Sequence, residues 1–565
     1  MNESSLPLIV QSDRTVLLEL NHPQYEEVRD KLSRFAEIEK SPEYVHTYRI
    51  TPLSIWNAAA TGLTFEEVVF TLKNYNKYPV PPSILQEIKR LWESYGKVKL
   101  IKRDGSLILN SSDSLLIEEI WNYKPVKPFL LKKNSTTEIE IKANFRGHLK
   151  QALIHLGYPV EDLAGYRLGD PLTLHLLTKT QSGVFFNLRY YQQECVDLFY
   201  AGGTTRGGSG VIVLPCGAGK TLVGLATIEK VSAHTLILCT NITAARQWRS
   251  EIIDKTDLSE NEIGEYSGEK KELLPITIAT YQILTYRRDK TGLFEHFEIF
   301  NKRNWGLIIY DEVHLLPAPV FRITAEIQAT RRLGLTATLI REDGKEKEVF
   351  SLIGPKKYDV PWKVLEKQGW IAQAQCIEIR IPLPAEQRKT FAVASLREKF
   401  KIASLNSAKT VLILQLIREH SEQLILVIGQ FIEQLENIAR VTQSPLITGK
   451  TKNADREDLY DSFRKGRIKV LVVSKVANFA VDLPAASVAI QVSGTYGSRQ
   501  EEAQRLGRIL RPKKSGQIAY FYSLVTHDSE EQEFASHRQL FLTEQGYQYR
   551  IHSAEEWQKT ALNKV

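Results

Sequence analysis

From Gly210 onward the chain alternates short apolar runs with longer amphipathic stretches, and this alternation limits the possible folds more than any other feature. The runs fall at residues 211–214, 235–239, 276–279, 307–310 and 333–335. Each is too short for a helix and lacks the polar alternation of a half-exposed strand, so each reads as a strand buried on both faces. Helices between them then cover a parallel sheet on both sides. A second series at 424–428, 470–473, 488–492 and 518–524 predicts a second lobe of the same α/β kind.

The 565 residues exceed what one core accommodates. The expected domains are an N-terminal α+β region over 1–126, a small mixed connector over 127–187, lobes over 188–356 and 357–530, and a tail over 531–565. In the N-terminal region, Thr51-Pro52 reads as an N-cap followed by proline, and Thr64 with Glu67 as a capping box. A third helix starts near Pro82. Two apolar stretches, 98–101 and 107–109, flank Asp104-Gly105 and read as a β-hairpin. Three helices and a hairpin suggest a winged helix; the alternative is a small α+β domain that only packs on the lobes. The connector carries a strand-like 139–141 and an amphipathic helix over 148–156. Glycine-rich 202–208 reads as a flexible lead into the first strand of the first lobe.

Composition narrows the class. Hydrophobic residues make up 43% and charged residues 25%, the balance of a chain that folds in water. The net charge of +8 fits a polyanionic partner without demanding one. Cys195, Cys216, Cys239 and Cys376 show no metal-ligand spacing, and a reduced, cytoplasmic setting is the simplest expectation. Neither a signal peptide nor a bilayer-spanning run is evident, so no membrane role is expected.

Chemistry concentrates where strands end. Between strand 211–214 and a helix through Leu225 and Ile228 lies Leu214-Pro215-Cys216-Gly217-Ala218-Gly219-Lys220-Thr221. Its glycines let backbone N–H groups turn inward around a β-phosphate, and the helix N-terminus adds a favourable dipole. Lys220 would neutralise the β- and γ-phosphates of ATP, and Thr221 would place its hydroxyl on Mg²⁺. Leucine stands where the strict motif has its first glycine, so the loop alone also fits an ordinary strand–turn–helix.

A second element completes the reading. Asp311-Glu312-Val313-His314 follows the strand 307–310, where a parallel sheet opens to ligand. Asp311 would hold Mg²⁺ through water, and Glu312 would orient and deprotonate the water that attacks the γ-phosphate. Thr336 and Thr338 of Thr336-Ala337-Thr338 are suited to relaying nucleotide state between lobes, with a cap or turn as the alternative. In Gln504-Arg505-Leu506-Gly507-Arg508-Ile509-Leu510-Arg511, Arg508 and Arg511 share one side of a helix and would stabilise charge on the transferred phosphoryl group.

Taken in order, these residues resemble the superfamily-two helicases. The resemblance narrows to the XPB family, in its bacterial form, where Thr336-Ala337-Thr338 is followed by Arg341-Glu342-Asp343. It continues through Ser474-Lys475-Val476, Asp482-Leu483-Pro484 and the Gln504–Arg508 element. The resemblance implies two tandem RecA-like lobes that hydrolyse ATP, move 3′→5′ on one strand of DNA and part duplexes, in DNA repair. It also implies that Arg189 and Gln192 of Leu188-Arg189-Tyr190-Tyr191-Gln192 read adenine, that Asp482 faces the ribose, and that Arg341, Glu342 and Asp343 act at the fork. Strand cleavage in such a pathway would need a nuclease or other repair partner. Arg388, Lys389, Arg397, Lys399 and Lys401 stand where relatives carry a larger basic insertion.

Candidate phosphate-backbone contacts are Asn241, Gln247 and Trp248, Thr280 with Tyr281, and Ser474 with Lys475. Each has a plainer alternative as a helix cap or core residue, and Trp248, on an apolar helix stripe, reads as core. Two rival functions are a duplex translocase that does not unwind and a DNA-binding scaffold with a silent nucleotide site.

Overall fold

The computed structural model describes residues 6–40, 44–288, 294–327, 330–338, 346–360, 362–474, 486–494, 502, 505–507, 509–510 and 518–562. Two compact units divide the chain, one built mainly from Met1–Glu37, Glu43–Leu214 and Gly219–Asp359, the other mainly from Val360–Val565.

The first unit contains a seven-stranded, all-parallel sheet. Its order is Ile263–Tyr266, Ile276–Thr280, Thr235–Cys239, Leu307–Asp311, Arg331–Thr336, Ser209–Val213 and Lys356–Asp359. The five strands expected from their apolar runs are all present and occupy the interior. Val211, Leu236, Leu238, Ile308 and Tyr310 are fully buried in one core, and each such side chain contributes roughly 1.5–3 kcal/mol when removed from water. The two edge strands, Ile-Gly-Glu-Tyr and Lys-Lys-Tyr-Asp, are polar enough that no run marks them.

The same unit holds the N-terminal region. The helices expected at Pro52, Thr64 and Pro82 span Pro52–Ala60, Phe65–Asn74 and Pro82–Ser94. The Thr64 box closes with Thr64 N donating to Glu67 Oε2 at 2.7 Å and Glu67 N to Thr64 Oγ1 at 3.2 Å. The hairpin Lys99–Arg103 and Ser106–Asn110 is also present. It is no free wing, because Leu130–Lys133, Glu138–Ile141 and Glu161–Asp162 extend it to five strands. One core runs from Val98 through Leu109, Ile139 and Leu153, so segments expected to lie on either side of residue 126 fold around a shared interior. Before the helices, Leu8–Val10, Thr15–Glu19 and Val45–Arg49 form antiparallel pairs that the sequence reading did not pick out.

The glycine-rich lead into the lobe is packed rather than loose. A Cβ on Gly207 would stand 2.3 Å from the Tyr200 carbonyl oxygen, so glycine is required there by close approach of backbone.

The second unit repeats the parallel architecture. Its sheet runs Leu446–Ile447, Val470–Ser474, Ile425–Gly429, Val488–Gln491, Ala519–Thr526, Ala374–Ile381 and Tyr549–Ser553. The last strand corrects the expectation of a C-terminal tail: Tyr549–Ser553 pairs parallel with Ala374–Ile381. Its mostly exposed Tyr-Arg-Ile-His-Ser carries no apolar signal. Residues 396–419 are apolar and long enough to raise the question of a membrane span. The segment breaks into Leu396–Ser404 and Ala408–Glu419, and within it buried Lys409 donates to Glu531 Oε1 and Oε2 at 2.9 and 2.8 Å. Each helix turns part of its surface inward, Phe400 and Ala403 on the first and Leu412, Ile413 and Leu416 on the second.

Candidate active site

Three neighbouring strands of the first lobe deliver the predicted site. Because the sheet is parallel, the carboxyl ends of Leu307–Asp311, Arg331–Thr336 and Ser209–Val213 lie along one edge, where α/β sheets bind ligands. Register fixes the alignment: Val213 is level with Thr336, Asp311 with Leu335, and Leu214 N donates to Thr336 O at 3.0 Å. The phosphate loop, the threonine pair and the acidic pair therefore stand side by side.

The loop turns as its glycines permit. Gly217 and Gly219 have φ of 83° and 85°, a left-handed conformation costly for other residues. Gly219 is the N-cap of the helix Lys220–Val231, so Lys220 and Thr221 open that helix. Behind the loop, Gln192 is buried at 1% exposure, and its Oε1 accepts the Arg189 backbone N–H at 2.9 Å. A Cβ on Gly219 would lie 2.3 Å from Gln192 Nε2. The amide expected to read adenine is thus packed directly on the loop expected to hold phosphate.

Lys220 Nζ approaches Glu312 Oε1 at 3.9 Å. Glu312 itself adopts φ 49° and ψ 53°, a conformation unusual for a non-glycine residue and concentrated at functional sites. Its Oε2 is buried with no hydrogen-bond partner among the described residues. His314 Nδ1 lies 3.5 Å from that oxygen, beyond hydrogen-bonding geometry. An uncompensated buried carboxylate oxygen is costly, and a water molecule placed for attack is the partner it suits.

Asp311 is held on three sides. Oδ1 accepts the Glu312 N–H at 3.0 Å, Oδ2 accepts the Trp248 indole N–H at 2.9 Å, and its carbonyl accepts the Tyr281 hydroxyl at 2.9 Å. Burial, then the neighbouring Glu312 charge, push its pKa above the usual carboxylate range, while Trp248 and Lys220 oppose the shift. A bound cation would favour the ionised form. Among the described residues no cluster of three His, Cys, Asp or Glu side chains gathers to hold a metal. One carboxylate with one threonine hydroxyl fits Mg²⁺, which keeps water and phosphate oxygens as most of its ligands.

Thr336 connects the pieces. Its Oγ1 donates to the Thr338 carbonyl and accepts the Thr338 N–H at 3.1 Å. With its single hydrogen so used, it accepts from His314 Nδ1 at 2.6 Å. His314 is thus bonded to the threonine pair while standing beside the acidic pair, a place the sequence reading did not give it. Thr338 Oγ1 is buried without a hydrogen-bond partner among the described residues.

Among the proposed backbone contacts, Asn241 Oδ1 caps the helix Ile242–Lys255 by accepting Ala244 N at 3.0 Å. Thr280 Oγ1 likewise accepts Ile283 N at 3.4 Å. Trp248 is buried, as its apolar stripe predicts, yet its indole is committed to Asp311. Ser474 ends its strand in the second lobe, with Oγ buried. Arg341, Glu342, Asp343, Lys475, Asp482, Gln504, Arg508 and Arg511 lie outside the described residues.

Two bacterial proteins named DNA 3′-5′ helicase XPB match the chain almost end to end. The one from Kineococcus radiotolerans is 51% identical over 97% of each chain, and the one from Mycobacterium tuberculosis is 52% identical over 97% of this chain and 98% of its own. This chain belongs to the XPB helicase family. A more distant XPB relative is the Saccharomyces cerevisiae general transcription and DNA repair factor IIH helicase/translocase subunit, 30% identical over 97% of this chain and 72% of its own. The family model described as ERCC3/RAD25/XPB C-terminal helicase matches residues 365–564, and so includes the strand Tyr549–Ser553. The model described as type III restriction enzyme, res subunit, matches residues 185–341. A third, described as helicase conserved C-terminal domain, matches residues 8–135, a span that here holds the helices and antiparallel strands of the N-terminal region.

Proposed function

We infer that this chain is a DNA-dependent ATPase that translocates 3′→5′ and separates DNA strands, with a role in DNA repair. The observation that carries the reading is Glu312: a strained carboxylate with a buried, unpartnered oxygen, set 3.9 Å from Lys220 at the mouth of the phosphate loop. Such an arrangement suits activation of water against a terminal phosphate and has no evident value for a silent nucleotide site.

In this reading the backbone of 217–221 cradles the phosphates and Gln192 pairs with adenine. Lys220 spreads charge from the β- and γ-phosphates, and Glu312 takes the proton from attacking water. Mg²⁺, held by Thr221 and Asp311, would supply further charge neutralisation on the phosphate oxygens. Arg508 and Arg511 stabilise the charge that develops during transfer, Asp482 faces the ribose, and Gln504, Ser474, Lys475, Arg341, Glu342 and Asp343 serve DNA contact and coupling. Thr336 and Thr338, the former bonded to His314 beside Glu312, report nucleotide state. A cytoplasmic location on the chromosome fits the bacterial relatives, and a nuclease or repair partner would perform any strand cleavage.

ATPase rates measured with single-stranded DNA, forked duplex, RNA and no nucleic acid test the reading, alongside strand release from forks with 3′ or 5′ tails. Stimulation by DNA and release only from 3′-tailed forks are expected. The word translocase in the yeast relative's name keeps a second reading in view, and stimulation by duplex without release from any fork would select it. Absence of DNA-stimulated hydrolysis would reject both.

A further inference from the structure

The two segments proposed to grip phosphates in the first lobe both end in a hydrogen bond to the same residue. Trp248 sits on the helix that Asn241 caps, and its indole N–H donates to Asp311 Oδ2 at 2.9 Å. Tyr281 follows Thr280 at the end of the adjoining strand, and its hydroxyl donates to the Asp311 carbonyl at 2.9 Å. The partners lie 63 and 30 residues away along the chain, so both bonds are tertiary contacts.

We propose that Trp248 and Tyr281 are positioning residues that couple nucleic-acid occupancy at the edge of the first lobe to the orientation of the metal-holding Asp311. The proposal rests on the functional reading above. The indole has little freedom: a Cβ on Gly224 would lie 2.5 Å from its Cη2, so the ring is wedged between the helix behind the phosphate loop and the Asp311 carboxylate. Movement of Ile242–Lys255 as a rigid helix therefore shifts the donor against Oδ2. Movement of the turn at Thr280 shifts the donor against the main chain from which the same carboxylate springs. The two tethers hold the side chain and the backbone of one residue. Together with the Glu312 N–H on Oδ1 they fix its direction, which fewer bonds would leave freer to pivot.

Full-length Trp248→Phe and Tyr281→Phe, singly and together, remove the donors while keeping the rings. The readout is the Mg²⁺ concentration that half-saturates binding of a fluorescent, non-hydrolysable ATP analogue, with and without single-stranded DNA, together with anisotropy of labelled DNA and thermal melting. In the wild type, DNA is expected to lower half-saturating Mg²⁺. In the double variant that DNA effect falls about tenfold, the scale of one lost charge-assisted hydrogen bond, while labelled DNA still binds within about threefold and each single variant lies between. A double variant that keeps the full DNA effect overturns the coupling. If the double variant melts below the assay temperature, Tyr281→Phe, which removes a single oxygen, decides by the same criterion. A wild type that does not bind DNA removes the functional reading itself, an outcome distinct from failure of the coupling alone.

Discussion

Replacing Gly219 with alanine probes the join between the loop proposed to hold phosphate and the amide proposed to read adenine. At φ 85° an L-residue pays about 1–2 kcal/mol of left-handed strain. The new Cβ also meets Gln192 Nε2 at 2.3 Å, and relief requires the amide to rotate away from the Arg189 N–H that it accepts at 2.9 Å. That hydrogen bond is worth about 1 kcal/mol, and Gln192, at 1% exposure, has little space to turn. The combined penalty is about 2–3 kcal/mol, equivalent to roughly 30- to 150-fold in kcat/KM for ATP. Misplacement of the amide should also narrow the ratio of kcat/KM for ATP over GTP, whereas a defect confined to the phosphates would slow both nucleotides equally. Steady-state hydrolysis of both nucleotides by Gly219→Ala is the assay. Retention of wild-type kcat/KM for ATP, or a loss with the ATP-to-GTP ratio unchanged, refutes the reasoning.

Glu312→Gln should lower kcat at least about 100-fold while nucleotide affinity, read by equilibrium binding, changes little. His46 is buried beside Tyr25 and Arg29, and burial first, then the Arg29 charge, lower its pKa to about 4. The unfolded chain therefore binds the extra proton between about pH 6.5 and 4, so stability falls as pH drops through that window, by about 3 kcal/mol for this group. Urea titrations of wild type and His46→Phe should show the dependence reduced in the variant. Lys409→Met leaves Glu531 buried and unpaired and should cost about 3–5 kcal/mol. Lys409→Met with Glu531→Leu should recover much of that in the same melting assay.

Local pattern made much of this molecule readable. The interior strands of the first lobe and most of those of the second declare themselves because burial on two faces demands unbroken apolar runs, and the strands at 235–239 and 276–280 fall where those runs lie. Ala374–Ile381, interior to the second sheet but interrupted by Gln375, Glu378 and Arg380, went unread. The capping boxes work within four residues, so the helix starts near Pro52 and Thr64 were legible. Edge strands were not: Lys356–Asp359 and Tyr549–Ser553 bury too little to need an apolar signature. The hairpin and the strand at 139–141 were visible but their pairing was not, because Leu130–Lys133 and Glu138–Ile141 join the hairpin through pairings set by no local rule.

By itself the sequence determined the parallel lobes and placed the glycine-rich loop at 214–221 and the acidic pair at strand ends, since each follows from residue type and spacing along a few turns of chain. Only the tertiary structure decided that Gln192 packs on Gly219, that His314 bonds Thr336 beside Glu312, and that Trp248 and Tyr281 converge on Asp311. The reason is distance along the chain. A tryptophan on an apolar stripe and a tyrosine after a strand look the same whether they fill a core or aim a donor at a carboxylate. The difference appears only when a parallel sheet brings the ends of separate strands to one edge.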